Sequence, residues 1–124
     1  EFVDIIHSNS GALGIRDPIG DVDFYPDGLS PLQPGSLDII TSHTRAWIYF
    51  AETIYPGKEH NFMAQRCSSL PKLKQGKCEK NEKVAMGYAV DLNAKGNYFL
   101  NVNGNSPYGQ NDDGKNVNSC GKCS

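Results

Sequence analysis

The stretch from Val22 to Ile54, VDFYPDGLSPLQPGSLDIITSHTRAWIYFAETI, restricts the fold more than any other part of the 124-residue chain. Val22 to Tyr25 is a short strand that runs into a turn at Pro26-Asp27-Gly28. Residues 26–35 hold three prolines and two glycines in ten positions, which makes them loop. Thr41-Ser42-His43 then opens an amphipathic helix, with Ser42 the expected N-cap and Thr41 its competitor. Ala46, Trp47, Phe50, Ala51 and Ile54 recur at helical spacing and form one apolar face. Pro56-Gly57 stops the helix. A histidine delivered by a loop to a helix start places an imidazole at the rim of a site, where it can take and return a proton.

The remaining segments read more simply. Phe2 to Ile6 is a short apolar run bounded by the polar turn His7-Ser8-Asn9-Ser10-Gly11, and predicts a buried strand. Natural domains seldom open on a strand, so Glu1 reads as a cut, with a further segment expected before it. A helical turn is expected over Asn61 to Arg66. Val84 to Leu92 and Asn97 to Val102 predict two strands joined as a hairpin through residues 93–96. Residues 110–124 are rich in Asn, Gly and Ser, and are expected to be a disordered tail.

Composition excludes several classes. At 38% hydrophobic and 21% charged, with net charge −2, the chain suits an ordinary globular domain rather than a polyanion binder. No apolar run approaches the roughly 18 residues of a membrane span. The basic cluster Lys72, Lys74, Lys77, Lys80 and Lys83 is interrupted by Glu79 and Glu82, so it reads as a solvated face and not a nucleic-acid surface. Four cysteines, an even count in a small chain, suit an oxidising, secreted setting. Cys67 and Cys78 flank a Lys-, Gly- and Pro-bearing loop, Ser68 to Lys77, which a disulfide would close. The spacing Cys120-Gly121-Lys122-Cys123 suits a redox pair or half a zinc site. No second such pair and no following helix accompanies it, which leaves a local disulfide, or pairing outside the chain, as the expectation.

The order of motifs resembles a family. F-V-D-I-I-H, D-F-Y-P-D-G, Q-P-G, S-H-T-R-A and A-E-T-I are followed by Phe62-Met63-Ala64, Cys67, Cys78, Met86-Gly87-Tyr88, Gly96 to Leu100 and Ser106-Pro107-Tyr108-Gly109. Together they resemble the animal lipases of pancreatic type, most of all their insect and venom phospholipase A1 branch. The resemblance covers residues 1–109. It implies the C-terminal portion of an α/β-hydrolase catalytic domain, followed by the tail at 110–124. It implies a secreted serine ester hydrolase acting on phospholipids or glycerolipids, and supports the Cys67–Cys78 pairing. No cofactor or metal is implied. The alternative is a non-catalytic lipase-like yolk or storage protein, or an inactive fragment.

The resemblance makes His43 the histidine of a Ser-Asp-His triad. The chain order in such folds is Ser, then Asp, then His. No G-x-S-x-G occurs in this chain, so the serine and the aspartate are expected in a missing N-terminal segment. Asp23 reads as structural. His7 and His60 are weaker candidates; His7 follows a strand and would line the site, or would be structural. Arg45 has three readings: a surface ion pair, a brace for the histidine loop, or a phosphate ligand. Ser36 and Thr41 stand where the family's lid cysteines are expected, and only Leu37, Asp38, Ile39 and Ile40 lie between them. Four residues are too few to fold over a pocket, so lid and lid disulfide are both expected to be lost. The partner implied is a lipid substrate or lipid interface.

Overall fold

The structure is a computed structural model, and it describes residues 1–110. The expected tail and the pairing of Cys120 and Cys123 lie outside the described residues. The elements are β1 (Asp4–Ile6), β2 (Val22–Pro26), α1 (Ile39–Ile54), β3 (Met63–Arg66), α2 (Leu70–Lys74), β4 (Lys83–Ala85) and β5 (Gly96–Leu100). The strands form one mixed sheet in the order β1-β2-β5-β3-β4. β1, β2 and β5 are parallel; β3 runs against them, and β4, antiparallel to β3, runs in their direction. The carboxyl ends of the parallel strands, at Ile6, Pro26 and Leu100, therefore meet at one end of the sheet, beside the start of α1.

β2 lies inside the sheet and is buried along its whole length, VDFYP. Its side chains alternate between two layers, as the period of two requires. Val22, Phe24, Tyr98 and Leu100 join Tyr49, Phe62 and Met86 on the α1 side. Tyr25 and Phe99 point the other way, to Leu70 and Leu73 of α2 and to the Cys67–Cys78 disulfide. The disulfide is formed, with Cα atoms 5.5 Å apart and a sequence separation of 11. Closing a loop of that length contributes about 2–3 kcal/mol through the unfolded state.

Three sequence expectations fail here. Asn61–Arg66 contains strand β3 and not a helical turn, because its residues pair with both β4 and β5. The proposed hairpin does not form: β5 inserts between β2 and β3, so its partners are distant in sequence. Met86 and Gly87 leave β4 to pack against α1 instead of continuing a strand; a β-carbon on Gly87 would stand 2.4 Å from Thr53 Oγ1. The third failure concerns α1. Its buried residues are Ser42, Arg45, Tyr49 and Thr53, while Trp47 and Ile54 are 65% and 55% exposed. The apolar face read from the sequence points away from the sheet.

Polar contacts seat α1 instead. Gln33 Nε2 donates to Pro26 O at 2.9 Å, and its Oε1 accepts from Tyr49 Oη at 3.0 Å. Ser42 Oγ accepts from Gln33 N and donates to Ser36 Oγ, each at 2.9 Å. Glu52 accepts the backbone N–H of Tyr108 at 2.6 Å and of Gly109 at 2.9 Å. Thr53 Oγ1 accepts from Tyr88 N at 2.9 Å. The strings Q-P-G, A-E-T-I, M-G-Y and S-P-Y-G are thus parts of one contact surface.

Gly35 has φ +78, and a β-carbon there would stand 2.0 Å from Gly104 O; Gly57 has φ +83 but open space around it. Gly57→Ala should cost about 1 kcal/mol, the left-handed penalty alone. Gly35→Ala adds a backbone clash and should cost about 2–5 kcal/mol or prevent folding. Melting temperatures of the two variants measure the difference.

Asp27 has φ 59, a conformation that Asp and Asn tolerate better than most residues. Burial pushes its carboxyl up to about 6 from the model-compound value of 3.8. A carboxyl raised in the folded state favours folding below pH 4, and that contribution is lost as pH rises through about 6. Asp27→Asn should therefore match wild type in stability near pH 3.5 and exceed it at pH 7.5, read as Tm against pH.

Candidate functional site

The carboxyl end of β1 turns straight into a tight loop. Asn9 O accepts from Gly14 N at 3.0 Å, and Asn9 Oδ1 accepts from Leu13 N at 2.6 Å. The loop then runs back along the sheet to β2. Asp23, buried in β2, receives Ile19 N at 3.0 Å and Gly20 N at 3.2 Å. His7 is buried beside it, with Nε2 2.8 Å from Asp23 Oδ1 and Nδ1 2.7 Å from Ile15 O. Its ring stacks on Tyr25 at 4.4 Å between centroids. Both nitrogens of His7 are engaged, so it ties loop to strand and has no free nitrogen for chemistry.

His43 differs in each respect. It is the fifth residue of α1 and is exposed. Its backbone O accepts from Ser8 Oγ at 3.1 Å, which fastens this turn of α1 to the end of β1. Its imidazole makes no hydrogen bond among the described residues. His43 lines a cleft of about 300 Å³ whose apolar walls include Ile5, Ile6, Leu13, Ile15 and Ile19, with His7, Ser8 and Asn9 supplying its polar part. Gly14 comes close: a β-carbon there would stand 3.7 Å from His43 Nδ1. The cleft is thus mostly apolar, with one unengaged imidazole at its rim.

The helix start departs from expectation. The N-cap is Asp38, which accepts from Thr41 N at 2.7 Å and Thr41 Oγ1 at 2.8 Å. Those two hydrogen bonds hold its carboxyl below the usual range. Neither Ser42 nor Thr41 is the cap, and His43 lies past the first turn, where the helix-terminal field has faded. Ile39 and Ile40 are the first helical residues rather than part of a loop excursion. Leu37 is 97% exposed and Ile40 70%. Ile40 stands one turn before His43 on the same side, but none of Leu37, Asp38, Ile39 and Ile40 lines the cleft.

Arg45 is buried, not part of a surface ion pair. Its Nη1 donates to Pro34 O at 3.0 Å, and its guanidinium lies 4.5 Å from the centroid of Tyr108. It braces the turn that precedes His43. His60 is exposed and does not line the cleft. Sequence reading missed Leu13, Ile15 and Ile19. The signal was present as three apolar residues in a glycine-bearing loop, 55–58% exposed. No group of acidic, cysteine or histidine side chains suited to a metal occurs among the described residues.

Comparison with known proteins completes the description. A sequence model of the family described as Lipase matches residues 1–108. The chain is 41% identical over 119 residues to Vitellogenin-2 of Ceratitis capitata, covering 96% of this chain and 28% of that protein. It is 31% identical over 143 residues to pancreatic lipase-related protein 3 of Homo sapiens, covering 86% of this chain and 30% of that protein. It is 29% identical over 137 residues to lipoprotein lipase of Bos taurus, covering 87% and 28%. The chain therefore spans under a third of the length of these relatives. The alignments to the two lipases are longer than the chain itself, so those proteins carry inserted residues; the alignment to Vitellogenin-2 is not.

Asp23→Ala should cost about 2–3 kcal/mol, because it leaves the buried His7 ring and the part-buried N–H groups of Ile19 and Gly20 without an acceptor. Asp23→Asn, which retains one acceptor oxygen, should cost less. Urea unfolding midpoints of the two variants measure the order.

Proposed function

The chain belongs to the lipase family, and from that premise we propose that it is the histidine-bearing part of a secreted carboxylic-ester hydrolase acting on phospholipids or glycerolipids. The observation that carries this reading is the contrast between the two histidines at the cleft. His7 has both nitrogens bonded; His43 has neither bonded among the described residues, and it lines a mostly apolar cleft at the carboxyl ends of parallel strands. Ligands in open α/β sheets bind at that end.

In this reading His43 takes the proton of an upstream serine as that oxygen attacks the ester carbonyl, and returns it to the departing alcohol. An upstream aspartate orients the ring. The apolar walls at Leu13, Ile15 and Ile19 receive an acyl chain. The outer edge of β1 and the exposed stripe Ile40, Trp47, Phe50 and Ile54 of α1 are where the rest of a lipase-sized domain packs. Only Leu37 separates Ser36 from the helix cap, so the cleft has no lid of its own from this segment, which suits a phospholipase A1 more than a lidded triglyceride lipase.

A second reading has its own support. Identity is higher to Vitellogenin-2 than to either lipase, and that alignment needs no large insertion. A lipase-fold yolk or storage protein retains the scaffold while binding lipid or nothing at the cleft.

The two readings diverge on His43→Ala in the intact protein. The hydrolase reading expects kcat/KM on a phospholipid and on a short-chain ester to fall about 10³-fold or more. The Tm should move little, since an exposed, unbonded ring contributes little packing. His60→Ala should stay within about twofold on both substrates. Wild-type protein without esterase activity or phosphonate labelling overturns the hydrolase reading in favour of the storage protein; retained activity in His43→Ala overturns the assignment of His43 as the triad base.

A further inference from the structure

A second cleft, of about 630 Å³, opens on the opposite side of the sheet between the end of β3, α2 and the start of β5. The groups that give it character are Arg66, Ser68, Lys72, Lys77, Asn81 and Glu82. We propose that this cleft binds a phosphate monoester dianion.

Charge arithmetic selects the ligand. Arg66 Nη1 and Glu82 Oε1 form an ion pair at 3.0 Å, each side chain about half exposed at 48%. That pair cancels within the cleft. The ammonium groups of Lys72 and Lys77 have no acidic partner among the described residues, so two positive charges face the cleft uncompensated. A phosphate monoester carries about −1.5 to −2 at pH 7 and three acceptor oxygens. A phosphodiester or a sulfate ester carries a single negative charge and leaves one lysine unmatched. The acidic residues that interrupt the lysine cluster in sequence do not interrupt it here: Glu82 is drawn to Arg66, and Glu79 does not line the cleft.

The backbone under these groups is fixed. The Cys67–Cys78 disulfide lies in the wall. Lys77 N donates to Lys72 O at 3.1 Å, which holds the two lysines near each other. Asn81 Nδ2 donates to Arg66 O at 3.1 Å. The Arg66 guanidinium crosses Gly96, where a β-carbon would stand 3.3 Å from Nε. The backbone that carries these donors is therefore held in place before a ligand arrives.

Position decides between a soluble phosphate and a membrane headgroup. Gly96 and Asn97 are the amino end of β5, whereas His43 stands at the carboxyl end of the parallel strands. The five residues of β5 separate the two by about 15 Å along the sheet. A flat lipid surface seated on the His43 cleft does not reach this one. The geometry favours a soluble phosphate monoester, bound independently of chemistry at His43, so the inference stands whether or not the hydrolase reading does.

The test titrates the intact protein at pH 7.5 and low ionic strength with inorganic phosphate, phenyl phosphate and methyl sulfate. Amide shifts at Lys72, Lys77 and Asn81 and calorimetry are the readouts. Phenyl phosphate should bind saturably and at least about tenfold more tightly than methyl sulfate, the monoanion. Lys72→Ala with Lys77→Ala should weaken it at least about tenfold, and Lys72→Arg with Lys77→Arg should retain it. Glu82→Gln should tighten it about threefold by releasing Arg66. An unchanged Tm in the double alanine variant, whose two positions are exposed, confirms that binding and not folding was altered. The proposal is overturned if no soluble phosphate binds saturably, or if the double alanine variant binds as wild type does. It is also overturned if vesicles containing phosphatidic acid bind while neither soluble phosphate does.

Discussion

Helix α1 rests on the sheet through hydrogen bonds more than through an apolar stripe, and the position of His43 follows from them. Gln33 joins the end of β2 to Tyr49; Ser42 joins the turn at residues 33–36 to the helix; Glu52 and Thr53 take backbone N–H groups from two distant segments. Each of these side chains is held at a distance that admits little slack. Gly35 against Gly104 and Gly87 against Thr53 are the backbone approaches that make such distances possible. Buried polar contacts of this kind are directional, so they fix the rotation of α1 about its axis. That rotation turns His43 outward toward the cleft, with Arg45 inward onto Pro34 and Tyr108.

The two histidines at the cleft illustrate what burial does to an imidazole. His7 lies between Asp23, Ile15 O and the face of Tyr25, and every polar atom it has is used. Its part is to hold the loop whose apolar residues wall the cleft. His43 stands outside that network, and its ring makes no hydrogen bond among the described residues. Two histidines at one cleft are thus placed differently: one is bonded at both nitrogens to Asp23 and Ile15, and the other is exposed with an unbonded ring among the described residues.

The sheet also divides the molecule by charge. At the carboxyl ends of the parallel strands the exposed groups are Leu13, Ile15, Ile19, Leu37 and Ile40, a surface suited to acyl chains. Around the amino end of β5 the exposed charged groups are Lys72, Lys77 and the Arg66–Glu82 pair, with a net positive charge. An apolar and a basic surface thus stand at opposite ends of β5. The length of β5 is what keeps them apart.

Local chemistry in the sequence determined β1, β2, the end of α1 at Pro56-Gly57 and the turns. Each depends on a short apolar run, a proline or a glycine within a few residues. The disulfide and the lipase resemblance were equally legible, because both rest on the order of motifs. The helix start was misplaced by four residues because Asp38, Thr41 and Ser42 all suit a cap, and only the seating of Ser42 against Gln33 and Ser36 removes it from contention. The strand at Met63–Arg66 and the place of β5 were not legible, since a strand's partners are set by long-range pairing and not by its own residues. The outward face of α1 was hidden for the same reason: periodicity reveals that a helix has an apolar side, but not which side the rest of the chain covers. The sequence by itself determined the segments and their chemistry. The tertiary structure alone decided their neighbours, because pairing and burial are properties of residues brought together from far apart, and those contacts made His7 structural and left His43 open.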